Sequence, residues 1–86
     1  MGEHKESIKL AIKDELLGRF RISKARKGDM LSPEWLNDVY LPTLNAKEEK
    51  AFEEVISEMI VDGIIEYVGS RKPSYSLTKK GEEILC

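Results

Sequence analysis

The sequence predicts a mainly α fold with a small β-hairpin (α+β): a three-helix core, the hairpin and a short C-terminal helix. Three observations carry this expectation. Apolar residues recur at three- and four-residue steps through 7–22 and 46–62, the mark of helices with one buried face. Two short β-rich runs, 64–68 and 74–78, flank the turn-forming stretch Gly69-Ser70-Arg71-Lys72-Pro73. Finally, 86 residues leave room for one core, so 1–86 reads as a single domain with residues 1–6 frayed.

Each element has its own signals. In 7–22 the stripe is Ile8, Ala11, Ile12, Leu16 and Phe20. Leu10 and Leu17 widen it, and two readings stand for them: packing under neighbouring elements, or a contact between two copies of the chain. Residues 23–30 carry no period and include Gly28 and Asp29, so they read as a loop with room for a short strand. Ser32, Pro33 and Glu34 make a helix start: a cap, a residue that needs no N–H partner, and an acid at the positive end of the dipole. Trp35, Leu36, Val39 and Tyr40 form the expected buried side of that helix. Pro42 is expected to end it, because the residue before a proline is pushed out of the helical region. Asn45 and Glu48 form an N-x-x-E capping box for the third helix, in which Phe52, Val55, Ile56, Met59 and Ile60 make the buried stripe. Gly63 supplies its stop, and Thr78 caps a last helical turn running to Leu85.

Composition excludes several function classes. No apolar run approaches the roughly 18–20 residues that cross a bilayer, and the polar start MGEHKESIK lacks the apolar stretch of a secretory signal. A cytoplasmic location is the expectation, without a membrane partner. Cys86 is the single cysteine and His4 the single histidine, so no metal-ligand spacing exists and no cofactor is expected. Nor is there a glycine-rich phosphate loop or a nucleophile with a base, so the chain is not expected to be an enzyme.

Met59-Ile60-Val61-Asp62-Gly63-Ile64-Ile65-Glu66-Tyr67, followed by Tyr75-Ser76-Leu77-Thr78-Lys79-Lys80-Gly81, resembles the winged helix-turn-helix superfamily. Its small prokaryotic transcription regulators carry a similar "G-[LI]-I" strand start and "Y-x-L-T-x-x-G" strand end. The resemblance covers roughly residues 8–85 and is strongest over 46–85. It implies a third helix (about 46–62) in the major groove of double-stranded DNA and the hairpin, or wing (69–73), along the backbone. Lys47, Lys50 and Ser57 would then face the groove, with Arg71 and Lys72 on phosphates. A homodimer would match two half-sites.

The charges divide on this reading. The chain is net −2, so no global basic field draws it to phosphate. Residues 69–80 hold Arg71, Lys72, Lys79 and Lys80 with no acid among them, and Arg19, Arg21, Lys24, Arg26 and Lys27 bunch together earlier; both regions suit phosphate contacts. The third helix is acidic instead. An alternative of another class follows: a protein-interaction module meeting a basic partner through Glu48, Glu49, Glu53, Glu54 and Glu58, without DNA. Tyr67 and Tyr75 have two readings as well, stacking on bases or packing in the core.

Overall fold

Ile12, Leu16 and Phe20 sit four residues apart on one face of a helix, and the rest of the chain folds against that face. In a computed structural model, which describes residues 2–69 and 71–85 and side chains from Glu6 onward, the chain is mainly helical with one antiparallel hairpin. The elements are α1 (Gly2–Ile22), α2 (Trp35–Tyr40, wound as a π-helix), α3 (Ala46–Val61), β1 (Ile65–Val68), β2 (Ser74–Leu77) and α4 (Lys79–Leu85). The first helix thus begins before the expected Ser7. Met1, Ser70, Cys86 and the side chain of His4 lie outside the described residues.

The core joins α1 to α3. Ile12, Leu16 and Phe20 meet Ala51, Phe52, Val55, Ile56 and Met59, and Leu31, Leu36, Ile64, Ile65 and Leu77 close the cluster. Of the two widening leucines, Leu17 packs against this core, whereas Leu10 is exposed. Ile60, expected in the stripe, is 40% exposed. It sits at the margin of the buried face and lines an open cleft at the base of the hairpin.

Several expected caps are present. The Glu48 N–H donates to Asn45 Oδ1 at 2.8 Å, and the Asn45 N–H to Glu48 Oε1 at 2.9 Å, completing the capping box. At the other end Gly63 takes φ 77°; its N–H donates to the Ile60 carbonyl at 3.0 Å and that of Ile64 to Met59 at 2.9 Å. This pairing is a Schellman closure, which leaves Ile64 buried under the helix end. The Ser32 hydroxyl accepts from the Trp35 N–H at 3.3 Å.

Two expectations for α2 are corrected. Pro42 does not end the helical path: Leu41 keeps helical angles (φ −57°, ψ −40°) and a 3-10 turn, Leu41–Thr43, carries the chain through the proline. Pro42 is the second residue of that 3-10 turn, a position whose N–H has no partner within the turn. The exit falls instead at Leu44, which is extended (φ −85°, ψ 136°). Val39, expected inside, is 56% exposed. The i→i+5 bonding of a π-helix makes each turn wider than an α turn and brings residues five apart onto one side. Trp35 and Tyr40 therefore stack, centroids 4.9 Å apart at 13°, and Val39 is rotated outward. Phe52 meets the far side of Tyr40 edge-on, and the Arg19 guanidinium of α1 lies 4.7 Å over Trp35.

The hairpin pairs Ile65 with Leu77 and Val68 with Ser74 at its two ends. The segment 28–31 runs along the free edge of β2: Met30 bridges Ser76, the Leu31 N–H donates to Tyr75 O at 3.0 Å, and the Leu77 N–H to Asp29 O at 2.8 Å. Ser74 is fully buried and its hydroxyl donates to Leu31 O at 2.7 Å. The Thr78 hydroxyl accepts from the Gly81 N–H at 3.0 Å, starting α4 as expected, and donates toward the Gly63 and Ile64 carbonyls.

Gly81 is held by this junction. A Cβ there would meet the Ile64 carbonyl oxygen and come within 2.6 Å of Leu77 Cδ1, whereas one on Gly18 would find nothing within 4 Å. Gly81→Ala is expected to destabilise by about 1–3 kcal/mol through overpacking. Gly18→Ala, in mid-helix, is expected to stabilise by up to about 1 kcal/mol. Urea unfolding of the two variants reads both signs, and equal effects would contradict this packing.

Candidate nucleic-acid interface

Burying one stripe of α3 decides which residues the helix turns outward. Lys50, Ser57 and Val61 lie opposite the core, all exposed, Val61 by 82%. Two edges flank them. On the α1 side, Lys47, Lys50, Ala51 and Glu54 line a small concavity of about 220 Å³ together with Ile8. Further along that edge Glu58 forms an ion pair with Lys9 of α1, and this contact raises the Lys9 pKa through the Glu58 hydrogen bond above all.

The other edge faces the hairpin. Glu49 and Glu53 are exposed there. Tyr67 and Tyr75 stand across from each other on β1 and β2, rings 5.8 Å apart and edge to face. Core packing holds for one of the pair: Tyr75 is half-buried against the core, while Tyr67 is 59% exposed. Burial raises the Tyr75 pKa first, then Tyr67 and the charge of Glu53 add to it.

The hairpin loop is tied to α2. The Asn37 side-chain amide donates to Pro33 O and to Pro73 O, each at 2.8 Å. Lys72 is in an ion pair with Asp38, which raises its pKa mainly through that hydrogen bond, with Glu34 contributing. Among the described residues Arg71 is exposed and enters no ion pair.

Of the five expected DNA-contacting residues, Lys47 and Lys50 thus share the α1-side edge of α3 and Ser57 lies between the edges. Arg71 and Lys72 stand on the hairpin loop beside α2, and Lys72 already has an acidic neighbour. The five glutamates expected to make one acidic face are divided. Glu48 closes the capping box, Glu58 pairs with α1, and Glu54 is half-buried; Glu49 and Glu53 remain exposed toward the hairpin. Asp38 and Glu34 of α2 both act on Lys72; Glu34 was read only as a helix-start acid, and Asp38 was passed over in the sequence. Their acidic spacing was visible, but their approach to Lys72 was not.

Among the described residues no group of three or more His, Cys, Asp or Glu side chains converges as a metal site, and no helix is long and apolar enough to cross a membrane. Scans against protein-family models, curated proteins and solved structures return no match to this chain.

The tyrosines give a pH test. A phenol whose folded pKa lies above its ordinary value of 10.0 stabilises the fold relative to the ionised state below that value. The stabilisation is lost as pH rises from about 10 through the raised folded pKa. Wild-type stability is expected to fall across that window, and Tyr75→Phe to make the fall shallower. Urea midpoints from pH 8 to 11.5 measure this, and an unchanged slope in Tyr75→Phe would contradict it.

Proposed function

We propose that the chain is a winged helix-turn-helix domain that binds double-stranded DNA, the mode of a small cytoplasmic transcription regulator without catalytic activity. The observation that carries this reading is the continuity from α3 into the hairpin. A helix with both ends fixed turns Lys50 and Ser57 outward and is followed at once by a two-strand hairpin with exposed Arg71 at its loop. The 28–31 segment braced along β2 supports it too, since it holds the hairpin at a set angle to the helices. In this reading α3 lies in the major groove, the wing lies on the backbone, and a homodimer meets two half-sites about one helical turn apart.

The acids set the strength of such binding. Glu49 and Glu53 approach the backbone on the wing side, and at surface dielectric each like-charge approach costs about 1 kcal/mol or less in salt. Lys47, Lys50 and Arg71 offset that only in part. Binding through this face is therefore weak and salt-sensitive.

One group of residues favours a second reading, a protein-interaction module. Glu53 acts on Tyr75, whose ring meets the exposed Tyr67 edge to face, and Asp38 and Glu34 act on Lys72 of the hairpin loop, so acids and an exposed aromatic both flank the hairpin, which suits a basic partner.

Fluorescence anisotropy with a random-sequence duplex at about 50 and 200 mM salt separates the two. Binding that falls steeply with salt, and weakens roughly 5- to 10-fold in Arg71→Ala/Lys72→Ala, is the expected result. Absence of binding at low salt would end the DNA reading and leave the acidic face for a protein. Asp38→Asn gives a finer test by removing the ion pair between Asp38 and Lys72. It is expected to tighten binding about 2- to 5-fold, as one more phosphate contact would, and no change would place the wing off the DNA.

A further inference from the structure

The end of α1, the turn that follows it and α4 bring together Arg21, Lys24, Arg26, Lys27, Lys79 and Lys80. Two clefts open on either side of the turn. One, of about 490 Å³, is lined by Lys27, Lys79 and Lys80 with Gly28, Thr78 and Glu66. The other, of about 350 Å³, is lined by Arg21, Lys24 and Arg26 with Glu82. Two of the carboxylates at this pole are turned onto the backbone. Asp29 accepts from the Arg26 N–H at 3.0 Å, and Glu82 from the Lys27 N–H at 2.7 Å. These bonds shape the turn and leave the cationic heads outward. Among the described residues Arg21, Lys24, Arg26, Lys27 and Lys79 enter no ion pair, and Lys80 donates to the Asp62 carbonyl at the end of α3.

We propose that this pole is a second phosphate-contacting surface, which takes the backbone of a nucleic acid along the two clefts with the 24–28 turn between them. The proposal rests on the DNA reading above and names the surface that supplies most of its electrostatic attraction. Six cations against Glu66, Glu82, Glu83 and Asp29 stand out in a chain that is net −2, so the rest of the molecule is correspondingly acidic. A phosphate backbone presents one charge per ~1.7 Å of duplex axis and can follow a grooved surface. A lipid surface is flat and reaches only what protrudes, whereas these side chains line concavities. The pole also accounts for how an acidic α3 is held near DNA: the attraction comes from elsewhere on the domain.

The test titrates duplex DNA into the intact chain. With four to five phosphates contacted, the slope of log K against log salt is about −4, a loss of roughly two orders of magnitude between 50 and 200 mM. Arg26→Gln/Lys27→Gln/Lys79→Gln is expected to bind at least ~10-fold more weakly at 50 mM and to flatten the slope by about 2.7. Lys80 is left in place because it caps α3. Amide shifts in wild-type ¹H–¹⁵N spectra provide a readout independent of the variant's folding. On adding the duplex they are expected to move at 24–28 and 78–81. Unchanged affinity in the triple variant, or shifts confined to α3 and the hairpin loop, would overturn the proposal. If Lys47→Gln/Lys50→Gln weakened binding in the same experiment, the groove reading would then stand alone. No wild-type binding at 50 mM would overturn both. Pole-dependent binding to phosphatidylserine vesicles without binding to DNA would overturn it in favour of a membrane.

Discussion

The constraint beneath this structure is that one helix face must serve every other element. With 86 residues there is a single core, and α1 supplies its floor through Ile12, Leu16 and Phe20. Because α3 must lay Val55 and Met59 on that floor, its outer residues are fixed by helical geometry and not by what they might recognise. The Schellman closure at Gly63 then launches β1 directly from the buried Ile64, and the Thr78 hydroxyl returns the chain to the same point. Hairpin, α3 and α4 are therefore joined at one junction, where Gly81 has no room for a side chain.

That geometry sorts the charges. The side of α3 near the hairpin collects Glu49 and Glu53, and α2 adds Glu34 and Asp38. The opposite end of the molecule collects the basic turn and α4. The domain, of extents 36 × 27 × 22 Å, thus carries its acidic and basic groups in separate clusters. Net charge describes this molecule poorly, since attraction to phosphate depends on which end approaches.

Much of the backbone was legible in the sequence because its signals are local. The Asn45–Glu48 box, Gly63, Thr78 and the α3 stripe each depend on residues within one or two turns, and each appears where expected except that Ile60 of the stripe is exposed. Met30's bridge to Ser76 was foreshadowed only as room for a short strand. The candidate site was less legible. Lys72 with Asp38 and Lys9 with Glu58 join residues far apart in the chain, and no periodicity reveals such a pair. They remove one expected phosphate contact from free solvent and divide an expected acidic face. The exposure of Val39 was hidden for a different reason: its expected burial presumed α winding, and the backbone there is wider.

That wider winding has a consequence for how the sequence can vary. A π turn holds one residue more than an α turn, so α2 has the form of a helix that has absorbed a one-residue insertion. Val39, exposed and remote from the core cluster, is the residue whose loss removes the least buried surface. Deleting it would place Trp35 and Tyr40 four residues apart, which is a same-face spacing in an ordinary α-helix. Arg19 would still have an aromatic pair to cover. The identity of the two aromatics, more than the chain length between them, docks α2 onto α1, and a one-residue gap here would do less damage than replacing either ring.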